Sequence, residues 1–140
     1  MTWVLVASTA ATWFMVGLIW VIQVVHYPML VRMSALRPVE EARWHQRQIS
    51  WVVGPPMAVE GVTALVLLVD RPPELSLVGA WAAAALLGVA LLATIALQVP
   101  VHSILAERHD DEACRRLLRE NWIRPIAWPA RGVILATALL

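Results

Sequence analysis

An all-α integral membrane bundle of four helices is the fold class this sequence predicts, on three observations. Of 140 residues, 60% are hydrophobic and 15% charged, with a mean hydropathy of +0.69. A soluble domain of this length cannot bury that much apolar surface. The apolar residues gather into stretches at 3–25, 51–69, 75–99 and 126–140, at or near the roughly 20 residues a bilayer crossing needs. The basic side chains are arginines, and they collect between alternate stretches. Arg32, Arg37, Arg43 and Arg47 follow the first, and Arg108, Arg115, Arg116 and Arg119 follow the third. Arg71 alone lies between the second and third. By the positive-inside rule, loops 26–50 and 102–121 are cytoplasmic and both termini face out. The expected setting is a bacterial inner membrane, crossed several times by one domain of residues 1–140.

The first stretch carries no basic n-region and is too long for a signal-peptide core, so it reads as a retained span. Trp13, Gly17, Trp20, Gln23 and Tyr27 fall on one stripe, with Gly17 expected at a close helix approach. Gln23 and His26 sit at its cytoplasmic end. Pro28 disfavours helical geometry at Tyr27 and is expected to bend or end the helix there.

In the first loop, Pro38 with Glu40 and Glu41 marks a helix start, with acids in the first turn. That helix should run through His45 and Ile49 toward Val53 along the headgroup layer. Gly54-Pro55-Pro56 is expected to interrupt it, because two prolines remove two backbone donors. Glu60 then stands alone in an apolar span, nine residues past Trp51. Arg131 lies ten past Asn121, and at about 1.5 Å per residue the two reach similar depth. Glu60 is thus either the partner of Arg131 in a structural ion pair or a metal ligand or proton acceptor.

Residues 70–74 form an external turn. The third span is rich in small residues (Gly79, Ala83, Ala84, Gly88), which suit close helix packing. At its cytoplasmic end Gln98 and His102 lie four apart around Pro100, which should loosen the local backbone bonding. In the second loop acids lead and arginines follow, an amphipathic helix with expected pairs Asp111–Arg115 and Glu112–Arg116. Leu117 and Leu118 face the bundle or lipid. Cys114, the single cysteine, excludes an internal disulfide and suits a reducing compartment.

The last span is the exception to its own apolarity. Asn121, Arg124, Trp128 and Arg131 are spaced i, i+3, i+7 and i+10, one stripe of a helix. An intramembrane charge costs about 2.5–3.5 kcal/mol on insertion scales and normally faces a partner inside the protein. The span is also short unless Trp122 and Ile123 join it, which would put Arg124 at the interface.

The polar residues concentrate at one side. Gln23, His26, His45, Gln98, His102, Asn121 and Arg124 belong to the cytoplasmic ends of four antiparallel spans. Glu60 and Arg131 lie deeper. This asymmetry points to a polar pocket opening toward the cytoplasmic interface, lined by Gln23, Tyr27, Gln98 and Trp128. Three uses fit it. His26, His45, Glu60 and His102 could bind a transition metal or haem, although no HExxH, ExxH or CxxC spacing singles that out. Arg124, Arg131 and Asn121 could hold an anionic or enolisable amphiphile, with His26, His45 or His102 as general base. Or the seam specifies packing, in a homo-oligomer or as an accessory subunit of a larger membrane complex. The net charge of +1 gives no field for nucleic acid.

Gln98-Val99-Pro100-Val101-His102-Ser103-Ile104-Leu105 and Leu118-Arg119-Glu120-Asn121-Trp122-Ile123-Arg124 resemble stretches of a family of small four-helix membrane proteins that includes the anthrone oxygenases. His26-Tyr27-Pro28 and Val53-Gly54-Pro55-Pro56-Met57 resemble small membrane proteins more loosely. The resemblance covers about half the chain. It implies cofactor-independent oxygenation of an activated aromatic, with Asn121 and Arg124 steadying the oxyanion and His26 or His102 removing the proton. His102 stands where the family stretch is expected to hold an asparagine. The expected function is therefore a membrane-embedded pocket that binds a lipophilic or aromatic small molecule and, on the resemblance, oxidises it.

Overall fold

Four long helices line up antiparallel because each apolar stretch must bury one face, and only its neighbours can cover it. The computed structural model describes residues 1–34, 36 and 39–140; expectations resting on Arg37 and Pro38 lie outside the described residues. The first long helix joins α1 (Thr2–Val21), a π-helical turn π1 (Ile22–His26) and α2 (Tyr27–Ser34). The second is α3 (Glu40–Val69). The third joins α4 (Leu77–Ala93), a second π turn π2 (Thr94–Gln98) and α5 (Val99–Leu105). A short α6 (Asp111–Glu120) leads into α7 (Ile123–Thr137), the fourth. The bundle closes as a ring in which α1 packs on α3 and α7, and α4 packs on the same two.

Three of these helices, 32, 30 and 29 residues long, are long and apolar enough to cross a membrane. They extend well past the apolar runs, carrying His26, His45 and His102 on continuous helix. The 15 residues of α7 span about 22 Å, short of a hydrocarbon core of about 30 Å.

Pro100 follows a turn of loosened backbone bonding, as expected, but Pro28, Pro55 and Pro56 neither end nor interrupt their helices. The helix neither ends nor breaks at Tyr27: it passes through π1 and runs on to Ser34. The Tyr27 N–H bonds to the Ile22 carbonyl, and the Val99 N–H to the Thr94 carbonyl, each five residues back. Each is followed by a proline, Pro28 or Pro100, which has no N–H to give. Widening the turn accommodates the ring without breaking the helix. Pro55 and Pro56 likewise sit inside an uninterrupted α3.

π1 also splits the expected stripe of the first helix. Trp13 and Trp20 are exposed at 43% and 42%, whereas Gln23 and Tyr27 are buried. One extra residue in the turn rotates the rest of the helix by about 100°. Gly17 has no neighbour within 4 Å of its Cβ position, so it is not a close-approach site, and neither is Gly88. The close approach lies at Gly132, where a Cβ would meet the Trp13 indole at 3.1 Å.

Asp110 caps α6, its side chain accepting from the Ala113 N–H at 2.8 Å. That bond holds the Asp110 carboxyl below the usual carboxylate range. The α6 pairs are not Asp111–Arg115 and Glu112–Arg116. They are Glu112–Arg115 at 2.8 Å and Arg116–Glu120 at 3.0 Å, because Glu120 closes the helix within reach of Arg116. Leu117 and Cys114 pack into the core. The core itself has two apolar clusters. One holds Leu5, Leu67, Leu75, Ala83 and Leu135; the other holds Met15, Ile19, Tyr27, Leu105, Leu117 and Trp128. Along α1, α3 and α7 a polar layer of Ser8, Thr12, Glu60 and Arg131 separates them.

Candidate functional site

The stripe faces inward: Asn121, in the turn before α7, and Trp128 are 0% exposed, Arg124 7% and Arg131 1%. Its members form two groups, Trp128 and Arg131 on Glu60, and Asn121 with Arg124. Arg131 meets Glu60, with Nη1 2.7 Å from Oε1. Arg131 also donates to Thr12 Oγ1, to Ser8 Oγ at 3.0 Å and to the Ala83 carbonyl at 3.2 Å. Glu60 accepts from Thr12 at 2.8 Å and from the Trp128 indole N–H at 3.0 Å. Every charge in this layer is matched, so Arg131 has its anion and Glu60 its cation. Arg131 is therefore not a ligand-holding group, and the Glu60 carboxylate lies in the ion pair rather than with the histidines.

The Trp128 ring is the partition above that layer. Beyond it opens a cleft of about 820 Å³, within the range of small-molecule sites. Its apolar wall includes Met15, Ile19, Ile22, Ile49, Val53 and Met57. Its polar lining includes Tyr27, His45, Thr94, Gln98, His102 and Arg124. The two π turns supply part of it, since Ile22 lies on π1 and both Thr94 and Gln98 on π2.

Arg124 is set by a chain of amides. Gln23 on π1 donates to the Leu118 carbonyl at 3.1 Å and accepts from Asn121 Nδ2 at 2.5 Å. That fixes the Asn121 carbonyl oxygen, which accepts from Arg124 Nε at 2.6 Å and also from Nη2. Nη2 donates further to Tyr27 Oη at 3.0 Å, and Nη1 to Thr94 Oγ1 at 3.3 Å. Of five guanidinium N–H groups one, on Nη1, has no partner in this set. Among the described residues no carboxylate forms an ion pair with Arg124. A buried guanidinium thus stands among neutral partners at the edge of a cleft.

The histidines gather next to it. His26 Nε2 and His45 Nδ1 are 2.7 Å apart. The His45 and His102 rings have centroids 5.0 Å apart at 35°. His102 Nε2 is 3.0 Å from Tyr27 Oη. His45 Nε2, His102 Nδ1 and both amide atoms of Gln98 are buried without a hydrogen-bond partner among the described residues.

The sequence-derived candidates therefore divide. Tyr27, His45, Gln98, His102, Arg124 and Trp128 line the cleft; His26, Gln23 and Asn121 stand behind the first row. The four-residue metal set His26, His45, Glu60 and His102 is not assembled. Among the described residues no group of three or more His, Cys, Asp or Glu could hold a metal ion. The physical reason is that Glu60 is engaged by Arg131, and His26 and His45 turn nitrogens toward each other. Thr94, Thr12 and Ser8 escaped the sequence reading. The signal was present: Ser8 and Thr12 are hydroxyls four apart on an apolar helix, and Thr94 lies four before Gln98.

No protein-family model matches this chain, and no curated protein or solved structure matches it.

Proposed function

We propose that this is an integral membrane protein whose cleft binds a lipophilic molecule through an anionic or enolisable oxygen headgroup. The observation that carries the reading is Arg124, a guanidinium 7% exposed with only neutral partners. Burying a cation costs several kcal/mol unless an opposite charge offsets it. The deeper Arg131 has that charge in Glu60; Arg124 lines the cleft and gains it from a bound anion. The apolar wall from Met15 to Met57 takes the hydrophobic body, and loops 26–50 and 102–121 face the cytoplasm on the arginine distribution.

The resemblance to the anthrone oxygenase family adds a reaction to this binding mode. An enolate held at Arg124 is the electron-rich form of an anthrone. Dioxygen oxidises it with one oxygen atom entering the ring carbon as a carbonyl and the other leaving as water. In this reading Asn121 acts through Arg124, which it orients, and His102 takes the proton through Tyr27, 3.0 Å from its Nε2.

The test is equilibrium binding of a nitronaphthol, whose anion absorbs well to the red of its neutral form, to protein in nanodiscs, beside its neutral methyl ether. Arg124→Met should weaken the naphtholate by about tenfold to a hundredfold, the worth of a charged hydrogen bond. It should leave the ether unchanged. Equal binding of anion and ether by the native protein would sink the reading.

A further inference from the structure

We propose that Tyr27, His102, His45 and His26 form a directional proton path from the Arg124 cleft to the protein surface. The proposal rests on the anionic-ligand reading, because a neutral acid can bind as its anion only if its proton leaves a buried site.

The direction follows from counting donors. Arg124 can only donate, so Tyr27 Oη accepts from Nη2. The phenol proton then has His102 Nε2, 3.0 Å away, as its acceptor. The opposite polarity would leave the Tyr27 proton with no acceptor. Neutral His102 therefore carries its hydrogen on Nδ1, an atom buried without a partner. His45 shows the complementary half. When its Nδ1–H donates to His26 Nε2 at 2.7 Å, its Nε2 is a bare acceptor, and that atom too is buried without a partner. One orphan donor and one orphan acceptor thus belong to neighbouring rings 5.0 Å apart. The path requires one of the two rings to rotate until these atoms meet. His26 is half-buried and ends the row at the surface.

Among the described residues, the titratable and charged groups facing these rings are one another, Tyr27 and Arg124, with Arg47 on the same cleft wall and no carboxylate. Nothing along the row would trap a proton as an ion pair. The ligand O–H proton passes to Tyr27 as Tyr27 gives its own to His102 Nε2. His102 releases its Nδ1 proton to His45 Nε2, His45 its Nδ1 proton to His26 Nε2, and His26 its Nδ1 proton to water. Each relay group gains one proton and loses one. The ligand is left as the anion against Arg124.

The experiment is stopped-flow mixing of nanodisc-held protein with neutral nitronaphthol in weak buffer. Colour follows the bound anion, and a pH indicator follows the released proton. His26→Ala, outside the cleft lining, should reach the same final colour about tenfold or more slowly, in line with the worth of a positioned proton carrier. Added imidazole should restore the rate. Tyr27→Phe should be slow and beyond rescue. Undiminished release in His26→Ala, or slow release that imidazole does not rescue, overturns the path and leaves the pocket standing. Colour formation that is absent in the native protein, or as strong in Arg124→Met, overturns the pocket reading and the path with it. A ligand-free check is nitrogen NMR of labelled histidines: His45 and His102 should both be Nδ1–H tautomers, and the Nε2–H form in either overturns the path.

Discussion

Glu60 and Arg131 show how a single residue is judged by what surrounds it. Both are buried to within 1%, and the pair is hydrogen-bonded on every side by Thr12, Ser8, Trp128 and the Ala83 carbonyl. Removing one partner leaves an uncompensated charge, so Arg131→Met alone should cost about 3–5 kcal/mol in detergent unfolding titrations. Glu60→Leu combined with Arg131→Met should cost less than that single change, because no charge is left behind. A double variant as damaged as the sum of its parts would mean that the two residues are not coupled and that each matters through its other partners. Arg124 has the same chemistry without the anion, and that difference separates a packing pair from a binding group. The inward stripe of α7 was legible because its spacing follows the helical period. The Glu60–Arg131 pair was legible as well, from the similar depths of the two residues; that Arg124 has only neutral neighbours was not, since this depends on which side chains the fold brings to it.

At the scale of elements the two π turns position the site. They carry Gln23, His26, Thr94 and Gln98, and they stand just ahead of Pro28 and Pro100. A π turn is in effect one residue inserted into an α-helix. Deleting Val25, 58% exposed within π1, should close the turn to α geometry and keep Tyr27 facing Arg124. Deleting Ala10, exposed within α1, should rotate either flank by about 100° and abolish folding. Size-exclusion profiles and thermal melts of both deletions check this, and equal damage from the two would dismiss the inserted-residue account. The prolines are visible in the sequence, and Pro28, Pro55 and Pro56 suggest a bend or an interruption where the helices in fact run on. In the proposed bilayer, a break would expose unbonded backbone to lipid, which costs more than a widened turn that keeps most of the bonds. For the same reason the helices outrun their apolar stretches, carrying the histidines on helix rather than in loops.

The whole molecule has a polar end and an apolar end, and the proposed membrane topology turns that asymmetry into a measurable orientation. Three helices have the length and hydropathy to cross a bilayer, while α7, at 15 residues, does not cover about 30 Å by itself. A short fourth helix resting with Arg124 at the inner interface would bring the cleft to headgroup depth. There a lipophilic acid would already lie with its oxygen toward water. The orientation rests on the loop arginines alone, so it is tested by labelling. In a Cys114→Ala background, Glu74→Cys in the external turn should react with a membrane-impermeant maleimide on intact cells. Arg108→Cys, in the arginine-rich connection before α6, should react only after permeabilisation. The reverse pattern would put the cleft on the outer face and make its ligand an extracellular one. Labelling of both sites on intact cells would remove the bilayer crossing of the third helix, and with it the membrane reading of the bundle.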